Sequence, residues 1–202
     1  MFRSWLVHRW YSFVGLSGGL VVLWRDTVGM INIIKIDRQL LACTMSASGI
    51  GMWVCCGVYA SKNNVAWRIV LEVFRKVTDI DKAMVCIGDF NVILSTSDKK
   101  GRADFVVKRG IKEFQKCVSS RGLMDLGFTG TNYTCCNNQL GRHRVWVRLD
   151  RTLCNVQWRL LFPDAHVSHL ARTGSDHCHI ILHYAETPYE EFFVQVWKIL
   201  AS

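Results

Sequence analysis

The chain has 202 residues, with 25 Lys and Arg against 16 Asp and Glu, nine Cys and only two Pro. Half of the residues are apolar and a fifth are charged, which at this length supports one sizeable core and excludes a disordered tail, a Pro-rich stalk and a disulfide-knotted miniprotein. The formal net charge of +9 is a bias toward polyanions that names no partner by itself.

Read in chain order, the uncharged stretch Trp10–Trp24 follows Arg3 and Arg9 and superficially resembles a signal peptide. It carries Tyr11, Ser12, Ser17, Gly18 and Gly19, lacks a small-residue cleavage site, and is shorter than the roughly 20 residues a membrane span needs. It reads as a loop followed by a strand, Leu20–Trp24, and no membrane partner is expected. Strand-length apolar runs follow at Ile31–Ile36, Leu40–Met45, Met52–Tyr59 and Ala83–Ile87. Between the last two, Asn64–Val77 has helical period, with Trp67, Val70, Val73, Phe74 and Val77 on one face and Asn63 or Asn64 as cap. Lys108–Ser120 repeats that pattern through Ile111, Phe114, Cys117 and Val118. Further strands are predicted at Tyr133–Cys136, Val145–Leu149, Ala165–Leu170 and His179–Tyr184, with a short helix Asn155–Leu161 stopping before Pro163. Many strands with few helices predict an α/β (α+β) domain with stacked sheets.

The cysteines (Cys43, Cys55, Cys56, Cys86, Cys117, Cys135, Cys136, Cys154 and Cys178) are odd in number, and no two have C-x-x-C spacing. A zinc ribbon or disulfide framework is therefore not expected. Most lie in apolar runs as small hydrophobes, which suits a reducing compartment, nuclear or cytoplasmic.

Three short segments carry candidate chemistry. In Gly88-Asp89-Phe90-Asn91 a buried strand ends in Gly, and Asp89 and Asn91 alternate so that both leave one side of the backbone. A carboxylate and an amide there can hold a hard cation or orient water and phosphate, or simply form an Asx turn. Ser175-Asp176-His177 sets a carboxylate beside a group that titrates near neutrality. In Arg148-Leu149-Asp150-Arg151, Arg148 and Asp150 share a side; Asp150 becomes significant if it reaches His177, because a carboxylate fixes an imidazole's tautomer. Two basic groups stand apart from these: Lys99, Lys100, Arg102, Lys108, Arg109 and Lys112, opposed only by Asp104, and Arg142, Arg144, Arg148 and Arg151 around Trp146. This composition suits either phosphate contact or a solvated surface.

In this order and spacing the three segments resemble the endonuclease/exonuclease/phosphatase superfamily, most nearly the endonuclease domain of plant non-LTR (LINE-type) retrotransposons. Ser17-Gly18-Gly19-Leu20, Gly57-Val58-Tyr59, Lys99-Lys100-Gly101, Gly122-Leu123-Met124-Asp125-Leu126-Gly127 and Asn155-Val156-Gln157-Trp158 fit the same likeness. The resemblance implies a deoxyribonuclease-I-like four-layer sandwich, two packed β-sheets flanked by helices, over residues 15–184. Residues 1–14 are then a poorly defined lead-in, and 185–202 a tail that begins a linker toward a reverse transcriptase. It further implies a phosphodiester hydrolase acting on DNA with Mg2+ or Mn2+. Asp89 would position or deprotonate the attacking water, Asn91 would hold the scissile phosphate and Tyr59 would lie beside it. His177 would contact a phosphate oxygen, oriented by Asp150. Asp176 would belong to the metal site, Ser175 would support the loop, and the two basic groups would contact DNA.

The family also carries an Asn and a metal-binding Glu ahead of its Ser-Gly-Gly-Leu segment. Here the first Glu is Glu72, and the only Asn before Tyr59 is Asn32. The resemblance thus implies a domain truncated at its N-terminus, with impaired hydrolysis. A non-catalytic nucleic-acid-binding relic, or a decayed retroelement fragment, is the alternative. Oligomeric state is not implied.

Overall fold

A computed structural model of the chain describes residues 11–12, 19–23, 30–36, 39–47, 49–61, 71–72, 75–76, 82–101, 109–172, 175–184 and 193–197. The chain enters through β1 (Tyr11–Ser12) and β2 (Gly19–Leu23), then forms β3 (Met30–Ile36), β4 (Leu40–Ala47) and β5 (Gly51–Tyr59). Residues 71–72 and 75–76 are helical and fall in the helix expected over Asn64–Val77, the rest of which lies outside the described residues. After β6 (Met84–Asp89) and β7 (Lys99–Lys100) comes helix α1 (Arg109–Ser120). The short strands β8 (Met124–Asp125), β9 (Thr129–Gly130), β10 (Cys135–Cys136) and β11 (Trp146–Val147) lead to β12 (Asp150–Cys154). Helix α2 (Val156–Leu161), β13 (His166–His169), β14 (Ile180–His183) and β15 (Phe193–Trp197) complete the chain.

The expected α/β class with packed sheets is what forms. The main sheet has six strands in the order β3-β4-β5-β6-β12-β8, with β5 and β6 parallel and the other pairs antiparallel. Its central strands are covered on both faces, which is why their sequences read as continuous apolar runs rather than alternating ones. On one face Leu40, Ala42, Val54, Cys56, Val58, Met84, Cys86 and Leu153 pack beneath Ile111, Phe114 and Cys117 of α1. On the other, Leu41, Cys43, Met45, Trp53, Cys55, Val85 and Ile87 meet Val167 and Leu182 of β13 and β14, with Trp158 and Phe162 at the end of α2. Trp53 and Phe162 cross edge-to-face at 5.2 Å, an arrangement that contributes about 0.5–1.5 kcal/mol beyond burial.

The second layer is formed by two three-stranded sheets, β14-β13-β9 and β1-β2-β15. β2 and β15 lie against β5 and β6, and β15 runs beside β14. The segment expected as a tail therefore supplies a strand, paired antiparallel to β2 from Phe193↔Leu23 to Trp197↔Gly19.

Two local features set the sheet's geometry. Gly88 has φ +141°, and a methyl group there would stand 2.0 Å from the Val58 carbonyl oxygen, so only glycine lets β6 close on β5 at this point. Asn155 caps α2, its Oδ1 accepting from the backbone N–H of Trp158 at 2.9 Å and of Met84 at 2.9 Å, which ties the helix start to β6. All nine cysteines are buried and free. Among the described residues no helix is long and apolar enough to cross a membrane.

Candidate active site

Strand register builds the site. Tyr59 is opposite Asp89 across the parallel β5–β6 pair, and Asp89 is opposite Asp150 across the antiparallel β6–β12 pair. Three residues far apart in sequence thus stand in one row at one end of three adjacent strands. The segment 175–178 is laid over that row by a short antiparallel contact. Cys135 and His177 form an isolated bridge, the Cys136 N–H donates to the Asp176 carbonyl at 3.0 Å, and the Cys178 N–H donates to the Thr134 carbonyl at 2.7 Å.

His177 is held from two sides. Its Nδ1 lies 2.8 Å from Asp150 Oδ2, and its Nε2 lies 4.0 Å from Asp89 Oδ2. Burial by itself would lower the imidazole's pKa. The Asp150 hydrogen bond, the Cys135 side chain and the charges of Asp150 and Asp89 outweigh it and raise the value to about 11. The ring is therefore an imidazolium at neutral pH, with Nδ1–H donated to Asp150. Asp150 is in turn fixed by Thr134, which is fully buried and whose Oγ1 accepts from the N–H groups of Leu149 and Asp150 at 3.0 and 3.1 Å. The His177 N–H donates to Ser175 Oγ at 3.2 Å, so Ser175 supports the loop.

Asn91 is held beside Asp89 in a left-handed conformation, φ +49°, which Asn adopts more readily than most residues. Its N–H donates to Asp89 Oδ1 at 2.8 Å, and its Nδ2 donates to Asp89 Oδ2 at 3.0 Å and, by a short hydrogen bond, to the Ala60 carbonyl. Both protons of the amide are spent inside the protein. Its Oδ1 is buried with no partner, and as an acceptor it suits a cation or a water O–H, whereas a phosphate oxygen would need a donor.

Two groups of side chains can hold a metal ion, each with ligand atoms within 4.8 Å of one another: Asp89, Asp150 and His177, and Cys135, Asp176 and His177. For a hard divalent cation the oxygen donors are the carboxylates and the orphaned Asn91 Oδ1, a set that fits. No Glu joins them among the described residues; Glu72, for one, is exposed and paired with Lys76.

The basic residues divide. Arg148 and Arg151, expected to contact nucleic acid, are buried instead. Arg151 is 1% exposed and donates to Asp125 and Asp98, each at 3.2 Å, and to the carbonyls of Arg148 and Val92. Arg148 donates to Asp125 at 2.7 Å and lies 4.6 Å from the Phe128 ring centroid. Their guanidinium groups pair with two carboxylates of the protein itself, the buried Asp98 and the partly exposed Asp125, and that expectation is corrected. Lys100, Arg142 and Arg144 are exposed, and Lys99 is half-buried. β11 pairs with both β10 and β7, placing Trp146 opposite Lys100, so the two basic groups meet on one small sheet. Arg172, which carried no signal in the sequence, lies 4.4 Å above the Trp146 ring, with Arg144 at 6.0 Å. Arg102, Lys108 and the Arg109 side chain fall outside the described residues, while Lys112 is exposed on α1.

Thr134, Asp98 and Asp125 were not singled out from the sequence. Each acts through partners far away in the chain, a relation that no local pattern records.

No protein-family model matches the chain, and no curated protein matches it by sequence. Solved structures do match. The endonuclease domain of TRAS1, a telomere-specific non-LTR retrotransposon, aligns with TM-score 0.63 at 15% identity, over 87% of this chain and 79% of that one. The catalytic domain of APE2 from Xenopus laevis aligns with TM-score 0.54 at 16% identity, over 82% and 58%. An endonuclease/exonuclease/phosphatase protein from Beutenbergia cavernae aligns with TM-score 0.54 at 17% identity, over 81% and 46%. The chain has the fold that these proteins share, that of the endonuclease/exonuclease/phosphatase superfamily with its deoxyribonuclease-I-like architecture.

Proposed function

We propose that this chain is a metal-dependent phosphodiester hydrolase domain that acts on DNA and derives from a LINE-type retrotransposon. The observation that carries the proposal is the Asp89–Asp150–His177 constellation at the strand ends, a carboxylate pair facing an imidazolium. A phosphodiester is already anionic, and attack on it requires added positive charge and an aligned water. His177 supplies the charge: with Nδ1–H held by Asp150, its Nε2–H is available for a phosphate oxygen. Asp89, its own geometry fixed by Asn91, is the acceptor for the water proton. Tyr59, in register with Asp89, borders the phosphate. A divalent ion, Mg2+ or Mn2+, would be held by Asp89, the Asn91 amide oxygen and Asp176, and would stabilise charge on the reacting phosphate.

Asp150 is committed to His177 and Asp89 to Asn91, which leaves few free oxygens for an ion. The chain is therefore expected to be a weak nuclease by itself. The test is nicking of supercoiled plasmid with magnesium by this chain, Asp89→Ala and His177→Ala. Magnesium-dependent nicking that both substitutions abolish is expected. Equal background in all three removes the hydrolase.

A second reading, a nucleic-acid binder without turnover, is favoured by one observation: Lys99, Lys100, Arg142, Arg144 and Arg172 gather around Trp146. Aromatic rings flanked by cations suit stacking and phosphate tracking. Duplex binding by this surface should weaken by at least about tenfold between about 50 and 200 mM salt. Binding indifferent to salt would remove the surface from consideration.

A further inference from the structure

Cys135 has no step of the hydrolysis assigned to it above, yet its side chain contacts the imidazole at the centre of that site. We propose that Cys135, Asp176 and His177 form a second metal site, of the soft, zinc-binding class, which draws on the same imidazole and the same Asp176 carboxylate as the hydrolytic site. The three ligand atoms lie within 4.8 Å of one another. Their placement is set by backbone rather than by chance side-chain contact. Cys135 and His177 are bridge partners, and the Cys136 N–H to Asp176 carbonyl bond locks the neighbouring residues in register. Cys135 is 8% exposed, while Asp176 and His177 are half-buried, so the thiol is shielded and the approach lies on the carboxylate side.

The donor set decides the ion. A thiolate, an imidazole nitrogen and one carboxylate are ligands for Zn2+ and poor ones for Mg2+, which takes oxygen. With zinc about 2.3 Å from sulfur and about 2.0–2.2 Å from nitrogen and oxygen, neighbouring ligands sit roughly 3.3–3.7 Å apart. The ligand atoms, within 4.8 Å of one another, would draw in to that spacing on binding. Three protein ligands leave the fourth tetrahedral position for water. Coordination releases two protons to solvent, one from the Cys135 thiol and one from the His177 imidazolium, and involves no change of oxidation state. Occupancy would withdraw His177 from phosphate contact. That consequence rests on the hydrolase reading; the binding itself does not.

Cobalt is the direct probe, because a Co2+–thiolate bond has a near-ultraviolet charge-transfer absorption that nitrogen and oxygen ligands lack. The full chain titrated with Co2+ is expected to develop this absorption at one ion per chain, and Zn2+ should abolish it while excess Mg2+ does not. Cys135→Ser should remove the absorption and weaken zinc by about 100-fold or more, since losing even an outer-shell partner costs 10- to 100-fold. Cys136→Ser, in the adjacent buried residue, should keep it. No charge-transfer absorption in the wild-type chain, or its survival in Cys135→Ser, overturns the site. Should Cys135→Ser not fold by circular dichroism, the His177 ring resonances of the wild-type chain decide, because they must move on adding Zn2+. Zinc should also suppress any magnesium-dependent nicking. A chain that shows the cobalt absorption but never nicks DNA retains the metal site and loses only the hydrolase.

Discussion

Two clusters of charge flank the antiparallel β6–β12 pair, and their difference separates a structural network from a reactive one. In the first, Arg148 and Arg151 face Asp98 and Asp125, two cations against two anions. Asp98 also accepts from the N–H groups of Leu94 and Ser95, so this cluster closes the Thr96–Asp98 turn onto the sheet. In the second, Asp89 and Asp150 face His177, and Asn91 Oδ1 has no partner. The first cluster matches two guanidinium groups with two carboxylates and buries the Arg151 side chain, 1% exposed, while Asp125 at its rim is 25% exposed. Among its three charged groups the second sets two carboxylates against one imidazolium, and the His177 side chain is 15% exposed. Neighbouring residues of one segment, Arg148 and Asp150, serve opposite clusters. A balanced cluster holds a fold together, while an unbalanced one at a strand end is disposed to take a ligand.

The largest effect should come from breaking the balanced cluster. Arg151→Met removes one of the two cations that Asp98 and Asp125 share; Asp98 is buried, and removing one partner of a buried pair costs about 3–5 kcal/mol. Urea denaturation should show that loss. A change under about 1 kcal/mol would mean that water reaches the network and that the contrast between the clusters is overstated.

Asp150→Asn should have a smaller effect of a different kind. In the folded chain the carboxylates raise the His177 pKa to about 11 from an ordinary value of 6.5. A raised folded-state value stabilises the native form fully below pH 6.5, and that stabilisation is lost as pH climbs toward 11. The substitution removes the principal partner, so the alkaline loss of stability attributable to His177 should shrink, and the ring should titrate nearer neutrality by NMR. Nicking, where present, should fall by about 10- to 100-fold. An unchanged His177 titration would assign the shift to Asp89 instead.

The same contrast explains what the sequence disclosed. The helix over Arg109–Ser120 was legible because Ile111, Phe114 and Cys117 repeat at the period of the face they bury. β5 and β6 were legible because both of their faces are covered. β12 was not predicted: it opens with Asp150 and Arg151, which a hydropathy pattern reads as the end of a strand. Both are buried because their neutralising partners, His177, Asp98 and Asp125, come from elsewhere in the chain. β7, β8 and β9 are each two residues long, too short to show a period. At the site, Asp89 and Asn91 could be paired from their spacing, whereas the row Tyr59–Asp89–Asp150 depends on register between strands, which spacing does not encode. Lys100 and Trp146 likewise belong to separate stretches of sequence, and only the β7–β11 pairing joins them.

The smallest effect tests whether the unbalanced cluster stores backbone strain. Asn91 sits at φ +49°, where a β-carbon costs most residues about 1–2 kcal/mol. Asn91→Gly relieves that cost but deletes the amide that holds Asp89; Asn91→Ala deletes the amide and keeps the cost. Both lose the same hydrogen bonds, so the difference between them isolates the backbone. Gly should be the more stable of the two by about 1 kcal/mol in urea denaturation. Nicking, where present, should be equally reduced in both, because Asp89 loses the same partner in each. If Ala matched Gly in stability, the left-handed turn would carry no strain, and the amide alone would account for Asn at this position. If Gly retained more nicking than Ala, the backbone turn that presents the Asn91 N–H to Asp89 would matter more to that carboxylate than the side-chain amide does.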